Sequence, residues 1–275
     1  MMMMIMLTLG SKARRCRGGT PVLVLALALA TLTACPSIRD ASRLRDAQDT
    51  FSAAAEQENE QTFAALRAAS SATDDLFDRI VIGANRTGYQ SALDQLGEID
   101  DEQLRADGLL GSKLALEALC AWRLKRYETA LSVAENAAAL SDQLQPRDQL
   151  LVAALPGLIL NDEAFAWMQA GETDFIKIRN HLVGPDPQDR RNAVYYLSAA
   201  ATKAQSTGHP LTAYLASCEL IALKNYFSAT SGLDHEGIEG FGQVHAQRVM
   251  TLLGWLEAAD VQSADIDQWK AAFGL

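Results

Sequence analysis

The chain has 275 residues, 49% of them hydrophobic and 21% charged, and 34 acids outnumber 24 Lys and Arg to give a net charge of -10. That apolar content excludes a disordered chain and is enough to fill one elongated domain or two small ones. The acidic balance repels nucleic acid and anionic lipid headgroups, so neither is expected to bind the folded body directly.

Residues 12–35 fall into three parts. Lys12, Arg14, Arg15 and Arg17 form a basic run, Pro21 to Ala30 an apolar run, and Leu32-Thr33-Ala34-Cys35 closes the segment. The apolar run is shorter than the roughly 20 residues a bilayer span needs, and the order of the parts is that of a secretory signal. The closing tetrapeptide resembles the lipobox of bacterial lipoproteins: a hydrophobic residue, two small residues and a cysteine. The resemblance implies cleavage before Cys35 and diacylation of its sulfur. Residues 1–34 are then the signal peptide, 35–40 a lipidated tether and 41–275 the body. Loss of the four basic residues takes the net charge from -10 to -14. Several acyl chains, each buried methylene contributing about 0.8 kcal/mol, hold such a protein on the membrane permanently. Pro36, not Asp, follows the cysteine, which in lipoproteins of this kind favours the outer membrane over the inner.

Downstream, Ile38, Ala41, Leu44, Ala47, Phe51 and Ala55 recur at helical spacing, and a second helix is expected over Gln61 to Ala69. Thr73 is placed to cap a third, with Asp74, Asp75 and Asp78 in its first turn, where acids complement the helix dipole. Gly83 breaks it before Tyr89-x-x-Ala92-Leu93. The acidic run Glu98, Asp100, Asp101 and Glu102 lacks the alternate spacing and central glycine of a calcium loop, so it reads as a loop or a helix start.

Ala118 to Leu140 is the most regular stretch. Ala118, Ala121, Trp122 and Leu124 give one apolar face, Lys125-Arg126 a polar turn, and Tyr127-x-x-Ala130-Leu131-x-x-Ala134 a second periodic run. A small residue at Ala130 lets two helices approach closely while Tyr127 and Trp122 fill the groove beside it. The stretch resembles the middle of a tetratricopeptide (TPR) hairpin. It is echoed at Tyr89 to Leu93, at Ala166-Trp167 and at Ala213-Tyr214, with irregular offsets. The resemblance implies an all-α, TPR-like superhelix of antiparallel hairpins.

The remaining elements follow in order. A helix from Gln149 to Leu160 is expected to kink at Pro156. Gly184-Pro185-Asp186-Pro187 is a break that divides the repeat into halves. Arg190 to Ala204 and Pro210 to Tyr226 form a long pair, Ser228 to Gly242 a glycine-rich loop, and Gln243 to Ala259 and Ser263 to Phe273 the last two helices. Ile266, Trp269 and Phe273 share one face of the last, suited to covering the end of the stack.

No catalytic or metal-binding set emerges, and no cofactor is implied. His235-Glu236-x-x-Glu239 has Glu where a zinc-protease motif needs its second histidine, although His245 and nearby acids lie close in sequence. Cys120 and Cys218 sit on apolar helical patterns and read as small core residues, with pairing left open. The leading expectation is a non-enzymatic adaptor in the bacterial envelope. It faces the periplasm and holds a protein segment in a groove lined by first helices such as Ser112 to Leu124, where Lys113, Glu117 and Arg123 are the candidate contacts. A second reading, similar to the helical-repeat lipoproteins of tripartite periplasmic transporters, makes Trp122, Trp167, Tyr195, Tyr196 and Tyr214 the lining of a solute cavity. A third, a helical hydrolase around His235 and His245, has no motif behind it.

Overall fold

The computed structural model describes residues 36–68, 86–185, 191–230, 239–261 and 263–275. The signal segment with Cys35, the Thr73 cap with its acids, and His235 lie outside these residues. Among the described residues the chain is all-α, with eleven α-helices and no strand.

The first helix, α1, is Pro36–Ala68, followed by α2 (Arg86–Gly97) and the short α3 (Asp101–Ala106). Expected as a tether and two helices, residues 36–68 are instead one helix of 33 residues, about 50 Å long at 1.5 Å per residue. Its buried stripe of Leu44, Ala47, Phe51 and Ala54 packs on α2, where Tyr89, Ala92 and Leu96 are also buried. Asp100 caps α3, its side chain accepting from the Glu102 and Gln103 amides, with Asp101 and Glu102 in the first turn. The acidic run is therefore a helix start.

Helices α4 (Leu110–Arg123) and α5 (Tyr127–Ala139) form the expected hairpin. Ala130, Ala134 and Ala137 are buried at its seam. The turn closes with Lys125 N–H on the Trp122 carbonyl (2.8 Å) and Arg126 N–H on that of Ala121 (2.9 Å). Lys125 takes a φ of 61° in this turn, a left-handed conformation more often given to glycine.

After a single 3-10 turn comes α6 (Pro146–Gln169), then α7 (Phe175–Leu182), α8 (Ala193–Ser206), α9 (Thr212–Thr230), α10 (Glu239–Ala258) and α11 (Ser263–Ala272). Helix α6 continues past Pro156 and Asn161 without a break, so the stretch at Ala166-Trp167 does not open a new repeat, and Ala166 is exposed. The missing N–H of Pro156 removes one helical bond, and packing of α6 against α4, α5, α7, α8 and α9 holds the helix together. By length and composition α6 is apolar enough to cross a membrane, yet 61% of that window is buried within the fold. Its apolarity is that of a central core helix.

Packing repeats over the first half. Helix α1 lies on α2 and α4, and α2 on α4. Likewise α4 lies on α5 and α6, and α5 on α6. Beyond α6 the pattern changes, because α9 packs back against α6 and α7 as well as α8. The Gly184–Pro187 break separates α6 and α7 from α8 in sequence, but α6 and α8 pack directly on each other. Ser228 to Thr230 and Glu239 to Gly242, expected as loop, are helical ends of α9 and α10. Lys224 Nζ donates to the Ala272 carbonyl at 2.6 Å, fastening α11 to α9.

The α6–α8 contact is set by one missing side chain. A Cβ on Gly157 would lie 2.8 Å from the Ala193 carbonyl oxygen and 2.9 Å from Leu197 Cγ and Tyr196 Cβ. Since a backbone oxygen cannot swing away as a side chain can, Gly157→Ala is expected to lower stability by about 1–3 kcal/mol in urea unfolding. Gly254→Ala, where a Cβ meets nothing within 4 Å, is expected to gain up to about 1 kcal/mol from helix propensity alone.

Candidate functional site

Successive helices bring a small set of ionisable and aromatic side chains together. Glu58 comes from α1, Tyr89 from α2, Trp122 and Arg123 from the last turn of α4, Asp162 from α6 and Tyr214 from α9. Glu58 and Asp162 are 4% and 6% exposed. Each occupies the next position of an apolar stripe: Leu44, Ala47, Phe51 and Ala54 lead to Glu58, and Leu151, Leu155 and Leu158 lead to Asp162. Helical periodicity therefore turns both acids inward.

Each acid has a neutral donor on a neighbouring helix. Tyr89 OH donates to Glu58 Oε2, and Trp122 Nε1 donates to Asp162 Oδ2 at 2.7 Å. Arg123 stands between them. Its Nη1 is 3.8 Å from Glu58 Oε2, and its guanidinium lies 4.1 Å over the Trp122 ring and 6.0 Å from that of Tyr89. Only 15% of its side chain is exposed, and Nε is sealed from solvent with no hydrogen-bond partner among the described residues.

Electrostatics follow from this burial. Removal from water pushes the Asp162 carboxyl up to about 6, while the Trp122 hydrogen bond and the Arg123 charge work against that rise. Burial also raises the hydroxyls of Tyr89 and Tyr214 and takes Tyr127 up to about 12. Cys120 and Cys218 are both free and buried, and burial pushes each thiol up to about 12. They are unreactive core residues.

Of the three residues expected to line a partner groove, Arg123 is in this cluster and the other two are committed elsewhere. Lys113 is 5% exposed, bonded to Asp101 of α3 and 3.2 Å from Glu117. Asp101 is exposed and Glu117 half-buried, so Lys113 is tied down by the fold's own acids. The five aromatic residues expected around a solute divide into three groups without ring contacts between them. Trp122 and Tyr214 flank Arg123. Trp167 is capped by Lys177 Nζ at 3.9 Å and by the His181 ring at 4.4 Å, and His181 Nε2 is 3.4 Å from Glu163. Tyr195 and Tyr196 meet edge to face at the start of α8.

His245 is half-buried beside the Tyr226 ring, and desolvation lowers it to about 4. Neutral imidazole in that position packs as a core side chain. No three His, Cys, Asp or Glu side chains are grouped closely enough to hold a metal among the described residues. A scan for known protein families and searches among curated proteins and solved structures return no match to this chain.

Glu58 and Asp162 were not singled out from the sequence, although both sit where an apolar residue is due. That substitution of an acid into a stripe is the signal that finds them. Because the folded Asp162 holds its proton up to about 6, well above an unfolded aspartate, its contribution is full at acid pH and is lost as pH rises through 6. Asp162→Asn keeps the shape and an oxygen for Trp122, and is expected to match the parent near pH 4 and exceed its stability by up to roughly 3 kcal/mol at pH 7. Denaturant unfolding across that range reads the difference directly, and a variant weaker at every pH contradicts the assignment.

Proposed function

We infer that this chain is a bacterial lipoprotein whose helical-repeat body serves as a non-catalytic adaptor in the cell envelope, holding a segment of another envelope protein. The observation that carries the reading is the repeated packing of α1, α2, α4, α5 and α6, in which the same set of three helix contacts occurs twice. Repetition of one contact set is how TPR-like bodies grow, and first helices in such a stack share one face. Arg123, at the end of α4, stands between acids of α1 and α6.

The address rests on the lipobox resemblance. Helix α1 starts at Pro36, directly after Cys35, so lipid on Cys35 would join the membrane to the body without a flexible spacer. That helix is itself buried against the body from Leu44 onward, so the repeat would be displayed close to the bilayer, facing the periplasm. The acidic body keeps itself off anionic headgroups, which suits a surface offered to a protein partner.

Cys35→Ala tests the anchor. The parent is expected to take up radiolabelled palmitate and to fractionate with envelopes, and the variant to lose both while keeping its helical circular dichroism. Membrane association that survives the substitution would contradict the lipoprotein reading.

A further inference from the structure

Helix α1 begins at Pro36, directly after Cys35. At 1.5 Å per residue, residues 36–45 all lie within about 15 Å of its start along the helix axis. Wherever an acylated Cys35 sits in a bilayer, this end of α1 is held against the headgroups. Its charge is unlike that of the rest of the chain. Arg39, Arg43 and Arg45 fall within this span with a single acid, Asp40, in a chain whose net charge is -10.

Burial sorts these charges. The Asp40 side chain is 1% exposed and turned into the fold, with Arg39 Nε 3.3 Å and Arg43 Nη1 3.9 Å from its Oδ1. Arg43 also donates to the Glu98 carbonyl at 2.9 Å. Arg39 and Arg45 are exposed. Spacings of three and four place Ile38, Ser42 and Arg45, with Arg39 beside them, on one side of α1, opposite the buried stripe of Leu44, Ala47 and Phe51. Ile38 is 48% exposed on that side. The exposed acids of α1, Asp46 and Asp49, come next along the helix, farther from its start. Glu98, Asp100, Asp101 and Glu102 lie at the junction of α2 and α3, the helices packed on the buried side of α1.

We propose that the side of α1 formed by Ile38, Arg39, Ser42 and Arg45 is a membrane-docking surface that takes the phosphates of anionic phospholipids in the bilayer carrying the anchor. This rests on the lipoprotein reading above and adds how the body lies on the membrane. Arg39 and Arg45 donate to phosphate oxygens. Ile38 enters the headgroup boundary, with the aliphatic stems of the arginines alongside it. The acids at the junction of α2 and α3 are turned away from the anionic surface. The body is thereby held on one side of α1 and does not swivel freely about its anchor. One arginine near such a surface favours the docked form by roughly fivefold, and two by on the order of twenty-five-fold. That bias orients a chain already anchored and is too small to hold an unanchored one.

Fluorophores on Ser42→Cys and, separately, on Ala106→Cys of α3 report the two sides, since both positions are exposed and the native Cys120 and Cys218 are buried. The labelled full chain is reconstituted in phosphatidylcholine vesicles with or without about one-third phosphatidylglycerol, and quenching by a lipid spin-labelled at its headgroup is measured. Phosphatidylglycerol is expected to raise quenching at position 42 at least about twofold and to leave position 106 weakly quenched. High salt removes the difference. Arg39→Gln/Arg45→Gln removes it as well, and Arg39→Lys/Arg45→Lys, which keeps both charges, restores it. Equal quenching at position 42 in the two vesicles, or stronger quenching at 106 than at 42, overturns the proposal. A chain that floats with neither vesicle has no anchor, and the lipoprotein reading falls together with the docking surface. A chain that floats with both and shows no lipid dependence loses the docking surface alone.

Discussion

Alanine and leucine side chains pack in several registers, whereas a buried carboxylate or amide accepts only one placement of its donor. This body relies on that difference. Tyr89 and Glu58 fix α2 on α1, while Ser112 and Asp148, with Trp122 and Asp162, fix α4 on α6 at two heights. Asn225 Nδ2 meets Asn161 Oδ1 at 2.9 Å between α9 and α6, and the Arg248 fork meets Glu219 between α10 and α9. Each bond alone contributes about 1 kcal/mol net, or somewhat more where a charge takes part. Misplacing a partner costs more, because an orphaned buried group keeps its full desolvation penalty. Polar bonds thus select the register that apolar packing then stabilises.

Arg123 Nε, like Arg147 Nε and Arg179 Nε, has no hydrogen-bond partner among the described residues. Its neighbours Glu58 and Asp162 draw their hydrogen bonds from a phenol and an indole, so the register needs no donor from the guanidinium. What Arg123 supplies is charge between two acids. Stability alone favours an apolar residue beside a neutral Gln at these positions.

Much of the fold was legible because it follows from local periodicity. The α4–α5 hairpin, the pair α8–α9, and the last two helices lie close to their expected spans. The discrepancies have physical causes. The Asn161-Asp162-Glu163 run reads as a boundary after Leu160, yet the helix continues, with Asp162 held inward by Trp122 and Gly157 allowing α8 to close over it. The tether and first two helices merged because nothing between Pro36 and Ala68 breaks a helix. Loop glycines near Gly240 and Gly242 were absorbed into α10.

The site was less legible than the fold. Lys113 and Glu117 share a face of α4 in any helical reading, but only tertiary structure shows Asp101 from α3 closing on Lys113. Glu58 and Asp162 lie 104 residues apart in sequence, and their meeting around Arg123 depends on three helices stacking in turn. The central claim is that Arg123 is not held for stability, and the double variant Glu58→Gln/Arg123→Met, compared with the parent by urea unfolding of the full chain, tests it most directly. The account predicts equal or greater stability, since a buried ion pair replaced by neutral groups of similar volume is commonly neutral or stabilising by about 1–4 kcal/mol. A loss of roughly 3 kcal/mol or more would contradict it, and would make Arg123 a structural member of the core.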